Sequence, residues 1–96
     1  MITSPQQEVV LSHLKALTPL RVAIFGSYAR DENKSNSDLD ILIHLDYSKH
    51  ISLLDLAGVE QDLSDALGIK VDIVTDKSLS PYIRPYIEKD LRYILE

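Results

Sequence analysis

The chain has no cysteine and no tryptophan, one methionine, one phenylalanine and three glycines in 96 residues. Without thiols it can build neither a disulfide framework nor a thiolate metal site. Its apolar runs are only a few residues long, where a membrane helix needs about 20, so no membrane-spanning segment is expected. The opening Met1-Ile2-Thr3-Ser4-Pro5 has no basic n-region and no apolar h-region, so a secretory signal is not expected and the cytoplasm is the expected location. An excess of positive charge is also missing. Ten Lys and Arg against fifteen Asp and Glu leave a formal charge of −5, and the cations are scattered. Non-specific nucleic-acid binding usually shows as a basic stripe or a high pI, so stable binding of long nucleic acids is not expected. A single nucleotide bound with metal ions remains compatible, because the metals bring the positive charge.

What is present is ordinary for a globular chain: 45% hydrophobic and 26% charged residues. The length predicts one domain spanning residues 1–96. A domain of this size buries only about 60–65% of its unfolded-chain surface, leaving little for a second substrate-binding module. Residues 5–17 are expected to form a helix, with Ser4 as cap, Pro5 in the first turn and Val10, Leu14 and Leu17 on one stripe. Residues 20–25 are expected to form a strand ending at Gly26, with a short helix over Ser27–Arg30. Residues 31–37 read as a polar loop and 38–45 as a second strand. A helix over 51–67 would bury Leu53, Leu56, Ala57, Leu63 and Leu67 and end at Gly68, a C′ glycine. Residues 69–74 would make a third strand. A last helix is expected over 81–95, with Ile83, Ile87, Leu91 and Ile94 inward and Pro85 in its first turn. The expected architecture is α/β, a small sheet with helices packed on it.

Three carboxylates stand inside or beside these apolar strands. Side chains alternate along a strand, so Asp38 and Asp40 share one face while Leu39 and Ile41 take the other. Asp72 lies between Val71 and Ile73. If the third strand neighbours the second at about 4.8 Å, Asp72 comes beside the pair. Close like charges raise one another's pKa, and no nearby lysine is expected to compensate them on that face. The natural partner is a divalent cation. Oxygen ligands suit Mg²⁺, which keeps waters and shares substrate phosphates, and two such ions about 3.5–4 Å apart would clamp an in-line phosphoryl displacement.

Gly26-Ser27 supplies the other half. Gly26 lets the backbone approach a ligand closely. The amides of a helix start, with the Ser27 hydroxyl, make an anion site suited to the β- and γ-phosphates of a nucleoside triphosphate, and Arg30 can reach the same phosphates. Taken singly, Asp-x-Asp, Gly-Ser and Asp72 would each pass as surface polarity or a turn. Together they do not, since an acid inside each of two apolar strands is costly without a partner.

Other sites fit less well. An EF-hand loop starting at Asp31 would place Asn36 where glycine is needed and Leu42 where glutamate is needed. There is no Gly-x-x-x-x-Gly-Lys phosphate loop. His13, His44 and His50 lack zinc-site spacing, although His44 shares the Asp38–Asp40 face.

Gly26-Ser27, ten intervening residues and then Asp38-Leu39-Asp40 resembles the signature of the DNA polymerase β-like nucleotidyltransferase superfamily. Phe25-Gly26-Ser27-Tyr28-Ala29-Arg30 and Ser37-Asp38-Leu39-Asp40 look like the superfamily's minimal bacterial and archaeal members, over nearly the whole chain. The resemblance implies the nucleotidyltransferase fold, with Asp38 and Asp40 on both metals. It places Asp72 on the catalytic metal, helping to deprotonate the attacking hydroxyl, and puts Gly26, Ser27 and Arg30 on the triphosphate. It further implies AMP transfer from ATP to a tyrosine hydroxyl of a HEPN-domain toxin, to which such minimal domains serve as antitoxin. Many minimal members have glycine after the arginine. Asp31 stands there in this chain and adds negative charge near the phosphates.

Small size favours an acceptor that brings its own binding surface. Tyr82, Tyr86 and Tyr93 flank the last apolar stripe, as core packing or as a partner surface. The alternatives are a non-catalytic antitoxin that neutralises its partner by covering it, and a nucleotidyltransferase acting on a small molecule.

Overall fold

The computed structural model describes residues 1–96. Its elements run α1 (Ser4–Leu14), a 3₁₀ turn (Lys15–Leu17), β1 (Arg21–Phe25), β2 (Leu39–His44), α2 (Leu53–Leu67), β3 (Val71–Thr75), a second 3₁₀ turn (Asp76–Ser78), α3 (Arg84–Glu88) and β4 (Arg92–Leu95). The strands form one mixed sheet in the order β3-β2-β1-β4. β1 pairs antiparallel with both β2 and β4, while β2 and β3 are parallel. That parallel pair needs a crossover, which α2 provides.

The core lies on one face of the sheet. Leu39, Ile41 and Ile43 of β2 and Val22 and Ile24 of β1 are fully buried, against Val10 and Leu14 of α1 and Leu63 of α2. Strict alternation sends Asp40, Leu42 and His44 to the opposite face.

The first helix is capped one residue earlier than the sequence predicts. Thr3, not Ser4, is the N-cap, in a reciprocal capping box with Gln6. Ser52 and Asp55 do the same for α2, and Gly68 closes it at φ +69°. Of the expected inward stripe of α2, Leu63 is buried and Leu56 and Leu67 pack against the core, joined by Val59, while Leu53 is 84% exposed and Ala57 also faces out. Two polar residues of the helix meet the outer edge of β3. Glu60 Oε2 accepts from the Ile73 N–H at 2.7 Å and Ser64 Oγ from the Val71 N–H at 3.0 Å. An edge that would otherwise offer unpaired donors is thus covered.

The largest departure is at the end of the chain. No helix spans 81–95. Instead a five-residue α3 is followed by β4 on the free edge of β1. Ile94 faces the core under either arrangement, but Ile83 is 52% exposed. Pairing with β1 satisfies backbone groups that a helix would satisfy internally and covers the edge of β1, leaving the short β4 as the outer strand, a gain that local periodicity cannot register.

Candidate active site

β2 and β3 run in register with Asp40 opposite Asp72. The two carboxylates therefore stand side by side on the face away from the core, as neighbouring strands about 4.8 Å apart dictate. Asp40 is half-buried and Asp72 exposed. Burial, then the charges of Asp72 and Asp38, push the Asp40 carboxyl up to about 6.

Asp38 sits just before β2, and its charge is felt at Asp40. It does not complete a three-carboxylate cage, because no three acidic or histidine side chains stand close enough to hold a metal together. The compensating lysine that the sequence did not lead us to expect is Lys70, whose Nζ lies 3.7 Å from Asp38 Oδ2. Both groups are largely exposed, so the pair is weak and yields readily to a stronger cation.

Gly26 has φ +75°, and a Cβ there would overlap Asp40 Oδ2. The positive φ favours glycine, and the missing Cβ leaves room for the Asp40 carboxylate before any ligand is considered. The expected helix over Ser27–Arg30 is instead a hydrogen-bonded turn. The Arg30 N–H donates to the Gly26 carbonyl at 3.2 Å and the Glu32 N–H to that of Ser27 at 2.9 Å. Tyr28 and Ala29 are buried in the core cluster and anchor the turn. The amides of Ser27, Tyr28 and Ala29 donate to no backbone carbonyl, so the turn keeps the free-donor character of a helix start.

Arg30 is already engaged. Its Nη1 donates to Asp90 Oδ2 at 2.7 Å and its Nε to Glu32 Oε2 at 3.2 Å. The two carboxylates, Asp90 first, hold the guanidinium pKa above its usual value. Asp31 adopts φ +57°, a left-handed conformation that glycine takes freely and aspartate tolerates. Its carboxylate is bonded by the Met1 amine and by Arg92 Nη1 at 3.3 Å. The amine and then Arg92 hold it below the ordinary carboxylate range. The charge that sat uneasily beside a phosphate site is thus neutralised within the fold.

Farther along the same face, His44 Nε2 is 3.0 Å from the Tyr93 hydroxyl, and its Nδ1 lies 3.6 Å from Asp76 Oδ2. The Tyr47 hydroxyl donates to Asp76 Oδ1 at 2.7 Å. Tyr93 is half-buried, whereas Tyr82 and Tyr86 are 87% and 69% exposed. The three tyrosines therefore divide between packing and surface. A hollow lined by Leu11, Lys15, Thr18, Pro19 and Leu95 lies toward the opposite end of β1 and holds no carboxylate. Sequence reasoning missed Lys70, Glu32 and Asp90. Asp90 lies sixty residues from Arg30, and nothing local marks the pairing.

Gly26 thus faces the paired strand carboxylates, and the sequence profile of the nucleotidyltransferase domain matches residues 7–94. The chain belongs to the nucleotidyltransferase domain family. A Methanocaldococcus jannaschii relative, named as a candidate protein adenylyltransferase, is 50% identical over 92% of this chain and 93% of its own. The protein adenylyltransferase MntA of Thermococcus cleftensis is 34% identical over 98% of each chain. Among solved structures, a candidate minimal nucleotidyltransferase is 35% identical and superposes with TM-score 0.77 over 92% of this chain and 88% of its own. The Shewanella oneidensis MNT antitoxin, solved in complex with a tri-AMPylated HEPN toxin, shares the fold at 19% identity. Its TM-score is 0.73 over 96% of this chain and 71% of its own. This nucleotidyltransferase is built on a mixed four-stranded sheet with flanking helices, and no helix in it is long and apolar enough to cross a membrane.

Proposed function

We propose that this nucleotidyltransferase is a protein adenylyltransferase that transfers AMP from ATP to a tyrosine hydroxyl of a HEPN-domain toxin and so acts as its antitoxin, in the cytoplasm where both meet. The observation that carries the chemistry is the Asp40–Asp72 register pair facing Gly26. The relatives named as protein adenylyltransferases support a protein acceptor, and the AMPylated HEPN toxin bound to the fold neighbour from Shewanella oneidensis supports that class of partner.

The acceptor oxygen attacks the α-phosphorus of ATP. The bond to the bridging oxygen breaks, a phosphodiester to AMP forms and pyrophosphate leaves. Asp72, exposed beside Asp40, takes the hydroxyl proton as the oxygen approaches. Gly26 and Ser27 seat the triphosphate on the free amides of the turn, and Arg30 meets its outer phosphates.

The donor set fits a hard divalent cation. Asp40 is hard to ionise on its own, with a pKa of about 6, and oxygen ligands of this kind suit Mg²⁺. Asp40 and Asp72 would hold it, with Asp38 joining on release from Lys70. Bound Mg²⁺ ions, two in number, would supply charge neutralisation at the phosphates and the leaving group.

The test is to incubate the protein with its cognate HEPN-domain partner, Mg²⁺ and ATP labelled in the α-phosphate. Wild type is compared with Asp38→Asn/Asp40→Asn, and toxin neutralisation is scored in parallel. Label transfer and neutralisation both lost in the variant support the enzyme. Neutralisation retained by the variant without transfer identifies a binding antitoxin instead.

A further inference from the structure

Arg30 is the cation that the proposed reading assigns to the triphosphate, yet two carboxylates already occupy it. Glu32 takes Nε and Asp90 takes Nη1. One guanidinium against two carboxylates leaves this trio at net charge −1. A triphosphate is strongly anionic, so the cluster as it stands offers no net attraction. Displacing one carboxylate restores it. The two partners differ in what their release would do. Glu32 is 66% exposed on its own flexible stem and can turn into solvent without consequence. Asp90 is only 14% exposed, and it belongs to the crossover from β3 to β4.

That crossover is loosely held. No residue of α3 is buried, and Tyr82 and Tyr86 project into solvent. Its start is held where Asp76 meets Tyr47 and His44. Beyond that 3₁₀ turn the polar ties are few: Arg84 Nη2 donates back to the Asp76 carbonyl at 2.9 Å within the crossover, and Asp90 reaches the body at Arg30. The strands on either side are fixed: β3 pairs with β2, and β4 pairs with β1. A segment with so little buried apolar contact sits at the low end of local stability, and one charge-assisted hydrogen bond then counts for much of its attachment. Asp90 is mostly covered, so leaving it unpaired carries a desolvation cost and losing Arg30 favours its exposure.

We propose that Asp90 is a latch that competes with the triphosphate for Arg30, so that ATP binding frees the α3 crossover from the Gly26–Asp31 turn. This inference rests on the reading that Arg30 meets the outer phosphates. It makes Asp90 a positioning residue that acts through Arg30, and it couples an occupied nucleotide site to a change in the surface that carries Tyr82 and Tyr86.

Equilibrium binding of ATP and of AMP, each with Mg²⁺ and no acceptor, tests it. Asp90→Asn removes the competing charge while keeping a hydrogen-bonding side chain. It is expected to tighten ATP roughly three- to tenfold and leave AMP unchanged, because AMP lacks the outer phosphates. Arg30→Ala weakens ATP, and Arg30→Ala/Asp90→Asn shows no gain over Arg30→Ala alone. A merely structural Asp90 would lower stability without this ATP-over-AMP split. If Arg30→Ala weakens ATP but Asp90→Asn does not tighten it, the latch is overturned and the phosphate role of Arg30 stands. If Arg30→Ala leaves ATP binding untouched, both fall. Hydrogen exchange on the wild-type protein tests the same coupling without a variant. Amides of residues 84–91 exchange faster with saturating ATP and not with AMP; protection, or no change, contradicts the latch.

Discussion

Gly26 leaves the space that Asp40 fills. A Cβ on residue 26 would overlap Asp40 Oδ2 and stand 3.3 Å from its Cγ, and the backbone there has φ +75°. The two halves of the sequence signature are thus one packed unit across the β1–β2 pair, in which Phe25 is the register partner of Asp40.

Gly26→Ala therefore strains the backbone and evicts the carboxylate together. A destabilisation of about 1–3 kcal/mol is expected by denaturant titration. Displacing Asp40 by an ångström should lower the transfer rate roughly 100-fold even where the variant is fully folded. A variant with wild-type activity would show that the contact has no bearing on the site.

Asp40 also sets a pH dependence. Its carboxyl titrates at about 6 in the fold, above its ordinary 3.8. Between those values the folded chain keeps a proton that the unfolded chain has lost, so stability falls as pH rises through 6. In chelator, Asp40→Asn should melt higher than wild type at about pH 7.5 and alike at about pH 4.5. Adding Mg²⁺ should raise the Tm of wild type and not of the variant.

Lys70 and Asp38 are both largely exposed, at 76% and 46%. Lys70→Ala should change stability by less than about 1 kcal/mol. Freed of its lysine, Asp38 should bind cation more readily, so Mg²⁺ should raise the Tm of Lys70→Ala at lower concentration than wild type. An unchanged Mg²⁺ response would remove Asp38 from the ligand set.

His44 is tied into the fold on both ring nitrogens. It joins β2 to β4 through Tyr93 and faces Asp76. Tyr93→Phe should cost about 0.5–1.5 kcal/mol and leave the transfer rate within about twofold at a temperature where the protein is folded. A large loss of rate at full folding would bring His44 and Tyr93 into the reaction.

Much of this was legible in the sequence because it is locally encoded. β1, β2 and β3 appear as apolar runs, α1 and α2 carry turn and cap signals, and strand alternation alone puts Asp40 on the open face. That β3 neighbours β2 was a supposition, and the parallel register that sets Asp72 beside Asp40 bears it out. What escaped is what depends on distant partners. Leu91, Ile94 and Ile87 fall at helical spacing, yet the free edge of β1 draws Arg92–Leu95 into a strand. The expected Ser27–Arg30 helix is a turn whose Tyr28 and Ala29 join the core. Lys70 on Asp38 and Asp90 on Arg30 are tertiary pairings with no local mark. Asp31 looked like an intruder at a phosphate site until its left-handed backbone and its bond to Arg92 came into view.

Asp40 and Asp72 are expected to carry adenylyl transfer to a protein together. The most direct measurement is the intact mass of the cognate HEPN-domain partner after incubation with ATP, Mg²⁺ and either wild type, Asp40→Asn or Asp72→Asn. The expected result is a partner heavier by one or more AMP groups on tyrosine with wild type, and no adduct with either variant although both still bind the partner. An adduct of undiminished yield with either variant, or none with wild type, would contradict it.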